Sequence, residues 1–198
     1  MIKIGITGNI ASGKSCVEEY IKSAGYIVVD CDKINSELLF SDDDTKAEIK
    51  DKFKDDDVFS SSGDILKDKL AKVVFSNVSK KKTLETIMHK RINKKLKSIF
   101  DENENEKYIF VSAALMFESG FYKDYDKIIF VYAKDDIRLE RLIKRNGYTK
   151  EYAMMRLKSQ QAQEDKVKLA DFIIHNDSDL NSLKVQTKEV LEKITNQL

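Results

Sequence analysis

The sequence predicts an α/β fold, a parallel sheet covered by helices and interrupted by a helical insertion. Three observations predict it. Strand, helix and strand patterns follow one another within residues 2–31, the unit that builds parallel sheets. Short apolar runs return at 108–112, 127–132 and 171–175. Between 33 and 101 no strong β run occurs, and apolar residues recur at helical spacing instead. With 198 residues, the chain suits one compact unit carrying a small inserted subdomain.

In order, residues 2–6 (IKIGI) read as the first strand, and Thr7 to Ser15 as a glycine-bearing turn. Residues 15–24 read as a helix, with Val17, Tyr20 and Ile21 on one face and Gly25 as its stop. Residues 26–31 (YIVVDC) form the second strand. In the insertion, Leu84, Ile87, Met88, Ile92, Leu96 and Ile99 mark one face of a helix. Asp42–Asp44 and Asp55–Asp57 read as solvated acidic turns, and SSSG at 60–63 as a loop. Strands at 108–112 and 127–132 follow, then helices at 135–145 and 150–163 split by Asn146-Gly147. Residues 171–175 are the fifth strand and 179–197 the closing helix.

Composition narrows the function classes. Charged residues make up 35%, yet 35 basic against 34 acidic leaves +1, which argues against a dedicated duplex binder. No run reaches the ~18 apolar residues of a membrane span, and MIKIGITGNI lacks the apolar core of a signal peptide. Two cysteines, Cys16 and Cys31, are too few for a disulfide framework, so a reducing cytoplasm is expected. No Cys/His cluster has zinc spacing. Proline is absent.

Gly8-Asn9-Ile10-Ala11-Ser12-Gly13-Lys14-Ser15 fits G-x-x-x-x-G-K-[ST] in full, and it lies between a strand and a helix as the mechanism needs. Glycines allow close backbone approach, and successive N–H groups at a helix N-terminus hold phosphate oxygens. Lys14 then reaches the β and γ phosphates, and the Ser15 hydroxyl ligates Mg²⁺. ATP or GTP binding follows.

The second strand ends in Val29-Asp30-Cys31-Asp32. Ligands of parallel α/β sheets lie beyond the carboxyl ends of strands, so an acid here can take a proton from an attacking hydroxyl or hold Mg²⁺ through water. Capping of a helix starting near Lys33 is the alternative role for either acid. The strand at 108–112 ends in Ser112-Ala113-Ala114 with no acid, and Glu118 is the nearest carboxylate downstream. Four of the five arginines, Arg138, Arg141, Arg145 and Arg156, fall in a nineteen-residue window of a chain with thirty lysines (35 minus 5). Arginine binds phosphate oxygens bidentately, so the window reads as a lid closing over the triphosphate; a salt-bridged surface helix is the plainer alternative. His89 and His175 stand isolated, and both read first as structural.

GITGNIASGKS, VVDCD, Gly63 followed by ILKDKLAKVVF, LETIMHKRI, ALMFES, RLERLIKR, Gln160 of RLKSQQ and LADFIIHN occur in that order. Together they resemble dephospho-CoA kinases, along nearly the whole chain. The resemblance implies a three-layer P-loop kinase fold with a parallel five-stranded sheet, a helical CoA-binding insertion and a lid. It divides the chain into core segments 1–32, 105–137 and 166–198, an insertion at 33–104 and lid helices at 138–165. It implies ATP and Mg²⁺ as cofactors, with the nucleotide on residues 8–15 and Cys16, and Ser15 and Asp32 at the metal. Asp32 is then the base facing the 3′-hydroxyl of dephospho-CoA, Arg141 and Arg145 are lid residues on ATP phosphates, and Asn176 lies near the adenine. Lys67, His89 and Glu118 belong to the acceptor side. A monomer or small homo-oligomer without nucleic acid or membrane as partner is expected.

The chain departs from the family pattern at Asn9 and Ala11, where the loop usually has glycines, and at Lys90 and Ala114, where prolines are usual. Lys67 stands in place of an arginine and keeps the charge without the fork. A kinase for a nucleoside or nucleotide is the rival enzyme. A GTPase switch needs D-x-x-G and N-K-x-D, and neither occurs: no glycine has Asp three residues before it, and Asn93-Lys94-Lys95 runs into Leu96.

Overall fold

The structure, a computed structural model, describes residues 1–197. The chain forms two compact units, one of Met1–Asp30 with Asn105–Leu198 and one of Cys31–Glu104.

In the first unit, β1 (Ile2–Gly8), β2 (Ile27–Asp30), β3 (Tyr108–Ser112), β4 (Lys127–Tyr132) and β5 (Phe172–His175) form one sheet in the order β2-β3-β1-β4-β5. Every pairing is parallel. The near-continuous apolar runs of the sequence follow from this, because such strands are covered on both faces. Period-two alternation sorts the side chains. Ile4, Ile6, Phe110, Ile129, Val131 and Ile174 join one buried cluster with Val17 and Ile21 of α1 (Lys14–Ser23) and Leu183, Val190, Leu191 and Ile194 of α9 (Leu180–Gln197). On the opposite face a Cβ at Gly5 would meet Ile128 Cδ1 and Met116 Sδ, both at 2.6 Å, so glycine makes room for Met116 there. The register pairs Ile6 with Ser112 and Asp30 with Ser112, which brings the carboxyl ends of β2, β3 and β1 to one edge.

The remaining helices of this unit are α6 (Asp135–Asn146), α7 (Lys150–Lys158) and α8 (Gln163–Val167). The sequence pattern extends a helix from 150 to 163; the structure ends α7 at Lys158 and begins α8 at Gln163. The second strand is shorter than expected, since Cys31 already opens the next helix.

The second unit contains α2 (Cys31–Ser41), α3 (Asp43–Lys52), α4 (Lys67–Ser76) and the 25-residue α5 (Val78–Glu102), against which the other three pack. Ile34, Ile49, Phe53, Leu70, Ile87, Met88, Ile92 and Leu96 are buried in it. Arg91 of α5 donates to Glu48 of α3 through Nη2 at 2.8 Å and Nε at 3.2 Å. Asp42–Asp44 corrects an expectation: these acids start α3 rather than forming a solvated turn. Asp42 caps the helix by accepting from the Thr45 N–H at 2.7 Å, and Asp43 and Asp44 lie in its first turn, where the helix dipole favours negative charge. No described helix is long and apolar enough to cross a membrane.

Candidate active site

Residues 8–13 turn from the centre of the sheet into α1. The turn closes through Ser12 N–H on Asn9 O at 3.0 Å, and Gly13 O takes the N–H groups of Cys16 at 3.0 Å and Val17 at 3.4 Å. Two of its glycines are required by space. A Cβ at Gly8 would lie 2.6 Å from Ser12 Oγ and 2.7 Å from Val131 O. Gly13 has φ of 94°, and a Cβ there would meet Asn176 Nδ2 at 2.0 Å. Ala11 adopts φ of 62°, left-handed backbone that alanine occupies at a cost.

The turn is braced from outside by side chains that the sheet order brings to it. Ile10 N–H donates to Gln160 Oε1 at 2.7 Å, and Ile10 O accepts from Arg138 Nε at 2.9 Å. Asn9 donates through Nδ2 to Gln161 O at 3.0 Å and accepts through Oδ1 from Lys166 Nζ at 2.7 Å. Ser12 O accepts from Asn176 Nδ2 at 2.7 Å, and Asn176 Oδ1 accepts from Arg141 Nη2 at 3.2 Å. The loop is thus held by bonds from outside it as well as by its own few internal ones.

Charge converges on this loop. Lys14 Nζ donates to Glu18 Oε1 at 2.8 Å and to Ser112 Oγ at 2.5 Å. Arg141 Nη1 and Ser12 Oγ are buried without a protein partner. The first amides of a helix also lack intrahelical acceptors. An ammonium, an orphaned guanidinium edge, an orphaned hydroxyl and a helix N-terminus beside a glycine cradle fit a polyphosphate by charge and by shape. Ser15 and Cys16 stand exposed on the first turn of α1.

The four clustered arginines do not act alike, and Arg156 stands exposed in the last turn of α7. Arg138 is buried and donates to Ile10 O, to Asp135 Oδ1 at 2.8 Å and to Gln160 Oε1 at 3.4 Å, so it is a brace under the loop. Burial draws its proton affinity down, and Asp135 opposes that. Arg141 reaches Asn176, as above. Arg145 is exposed and donates to Asn146 Oδ1 at 2.9 Å.

Glu118 is ion-paired to the fully buried Lys166, whose other partner is Asn9. Asp30 ends β2 in register with Ser112. Of the residues expected on the acceptor side, Glu118 belongs to the sheet unit and the others to the helical unit: Asp32 exposed in the first turn of α2, Lys67 exposed as the first residue of α4, and His89 half-buried in the middle of α5. Among the described residues no group of three or more His, Cys, Asp or Glu side chains is arranged to hold a metal by itself.

No sequence motif marks Glu18, Ser112 or Lys166 as site residues. Glu18 carried a usable signal, since it lies four residues after Lys14 on the same helix face. Lys166 carried none.

Comparison with known proteins points one way. The sequence model of a family described as dephospho-CoA kinase matches residues 2–182. The dephospho-CoA kinase of Aquifex aeolicus is 35% identical over 195 residues, covering 98% of both chains. That of Carboxydothermus hydrogenoformans is 34% identical over 194 residues, covering 96% of this chain and 93% of its own. Among solved structures, a Thermus thermophilus protein superposes with a TM-score of 0.82 at 30% identity, with 97% of each chain covered. The dephospho-CoA kinase from Campylobacter jejuni does so with a TM-score of 0.74 at 30% identity, covering 98% of each. A shikimate kinase from Bacteroides thetaiotaomicron shares the fold alone, with a TM-score of 0.53 at 12% identity.

Proposed function

This chain belongs to the dephospho-CoA kinase family, and from that premise we propose how its residues divide the work. The enzyme transfers a phosphoryl group from ATP to dephospho-CoA in coenzyme A biosynthesis. The triphosphate rests on residues 8–16, with Lys14 on the β and γ phosphates and Asn176 near the adenine. Ser15 and Asp32 would hold the Mg²⁺, which would supply charge neutralisation for the transferring phosphoryl group. Asp32 accepts the proton of the acceptor's 3′-hydroxyl as that oxygen bonds to the γ-phosphorus. The bond from phosphorus to the bridging oxygen breaks, and ADP leaves. Lys14 and Arg141 stabilise the charge that develops, and Arg145 joins them when the lid, 138–165, closes.

Lys67, His89 and Glu118 contact dephospho-CoA. The protein is read as cytoplasmic, free of nucleic-acid partners, and a monomer or small homo-oligomer.

One observation supports the reading above the rest: Arg141 keeps one guanidinium nitrogen buried and unpartnered while Asn176, gripping the loop at Ser12, holds the other. That is the arrangement of a cation kept in place for an anion. ADP release is the test. Turnover with dephospho-CoA present should exceed turnover with ATP alone many-fold; equal rates refute the assignment. The product should carry its new phosphate on the ribose 3′-oxygen, which phosphorus NMR of the isolated product reads directly.

A further inference from the structure

Glu18 has no part in the scheme above, yet it is bonded to the loop lysine, Lys14. It is 5% exposed. Its Oε1 accepts from Lys14 Nζ at 2.8 Å and from Ser112 Oγ at 2.5 Å. Helical spacing puts it one turn beyond Lys14 and Ser15, on their side of α1. Ser112 is the last residue of β3, which pairs with β1. In P-loop nucleotide sites an acid at the end of a strand commonly shares Mg²⁺ with the hydroxyl that follows the loop lysine. Here the strand ends in a hydroxyl, and the carboxylate reaches that same point from the helix.

We propose that Glu18 supplies a further carboxylate of the divalent-cation site, beside the Ser15 and Asp32 assigned above, and thereby makes triphosphate binding depend on the metal. The proposal rests on the reading of residues 8–16 as an Mg²⁺·ATP cradle. Charge balance carries it. Without nucleotide, the buried carboxylate is countered by the Lys14 ammonium. A triphosphate draws that ammonium toward its own oxygens and leaves Glu18 with a hydroxyl as its donor. An under-compensated buried charge of this kind is strongly unfavourable. A divalent ion beside Ser15 restores the balance; metal-free ATP does not.

The test measures binding rather than turnover, on the intact protein. Calorimetry with a non-hydrolysable ATP analogue is run once with Mg²⁺ and once with EDTA, and Mn²⁺ affinity in the analogue complex is read by electron paramagnetic resonance. The wild type should prefer the metal-bearing analogue by at least about thirtyfold. Glu18→Gln should compress that preference to about threefold, chiefly by tightening the metal-free complex, and weaken Mn²⁺ by about ten- to a hundredfold, the scale of one lost charged contact. A preference unchanged within about twofold in Glu18→Gln overturns the proposal and leaves the Lys14 contact as a structural ion pair.

Should Glu18→Gln prove unstable, Glu18→Gln with Ser112→Asp returns an acid to the strand. Recovery of the metal preference supports the proposal, and a folded double variant without it overturns it. Absence of nucleotide binding in the wild type would instead sink the cradle reading itself, a distinguishable result.

Discussion

Lys166 is fully buried, and its ammonium meets Asn9 Oδ1 at 2.7 Å, 157 residues back along the chain. Asn9 stands where the resemblance leads one to expect glycine, and the side chain that replaces that glycine is fully employed. It joins the loop to Gln161 O and gives a buried cation one of its two acceptors. Asn9→Gly should therefore cost about 1.5–3 kcal/mol, the scale of a hydrogen bond to a charged group, and raise the KM for ATP. Urea unfolding monitored by circular dichroism reads the first; a loss below about 0.5 kcal/mol would mean the contact is incidental.

Ala11, the other departure from glycine, should behave in the opposite sense. Its φ of 62° is left-handed. That conformation costs an L-residue roughly 1–2 kcal/mol, and glycine gives back roughly 0.5–1 kcal/mol through its freer unfolded chain. Ala11→Gly should leave the protein unchanged or stabilise it by up to about 1 kcal/mol. Destabilisation in the same urea assay would show that the methyl group makes a packing contact worth more than the strain.

Asp32→Asn should lower kcat by about 10²–10⁴, the usual share of general-base catalysis. Retention of activity within a few-fold would remove Asp32 from the role of base.

Arg141 and Arg138 should separate function from architecture. Arg141→Ala removes a donor to developing charge and should lower kcat by about 10²–10³ with little change in melting temperature. Arg138→Ala strips Ile10 O and Gln160 of a buried donor and should lower the melting temperature as well as activity. Thermal melts beside initial rates distinguish the two patterns; equal losses of stability would place Arg141 among the braces.

Asp42 offers a pH-dependent prediction. Hydrogen bonds from the Thr45 hydroxyl and N–H hold its carboxyl below the ordinary value of 3.8. A carboxyl so lowered stabilises the fold fully above its unfolded pKa and loses that contribution as pH falls through the folded one. Asp42→Ala should cost about 1 kcal/mol near pH 6, and the gap to wild type should shrink as the buffer is taken below pH 4. Chemical denaturation at pH 6 and pH 3.5 would show it; a gap independent of pH would mean that the charge of Asp42 contributes nothing.

The parallel sheet was legible because its causes are local. Apolar runs of strand length, and a phosphate loop between a strand and a helix, are written in consecutive residues. Most of what escaped depends on distant segments. The 150–163 pattern continues as a helix by propensity, but α7 stops at Lys158, and Gln160 beyond it takes the Ile10 N–H. The acids at 42–44 read as a turn by composition, yet one of them supplies the cap that lets a helix start. Glu18 and Ser112 meet across 94 residues, and only the strand order makes them neighbours. Arg138, Arg141 and Arg145 share a spacing, but one goes beneath the loop, one to its rim and one into solvent.

Arginine beneath the loop has a further effect. A guanidinium keeps its proton even when burial weakens its hold, because it starts so far above neutrality. Acidification or alkalisation within any range a cell endures therefore leaves Ile10 fastened, and whatever pH sensitivity the catalyst shows must originate elsewhere than in this clasp.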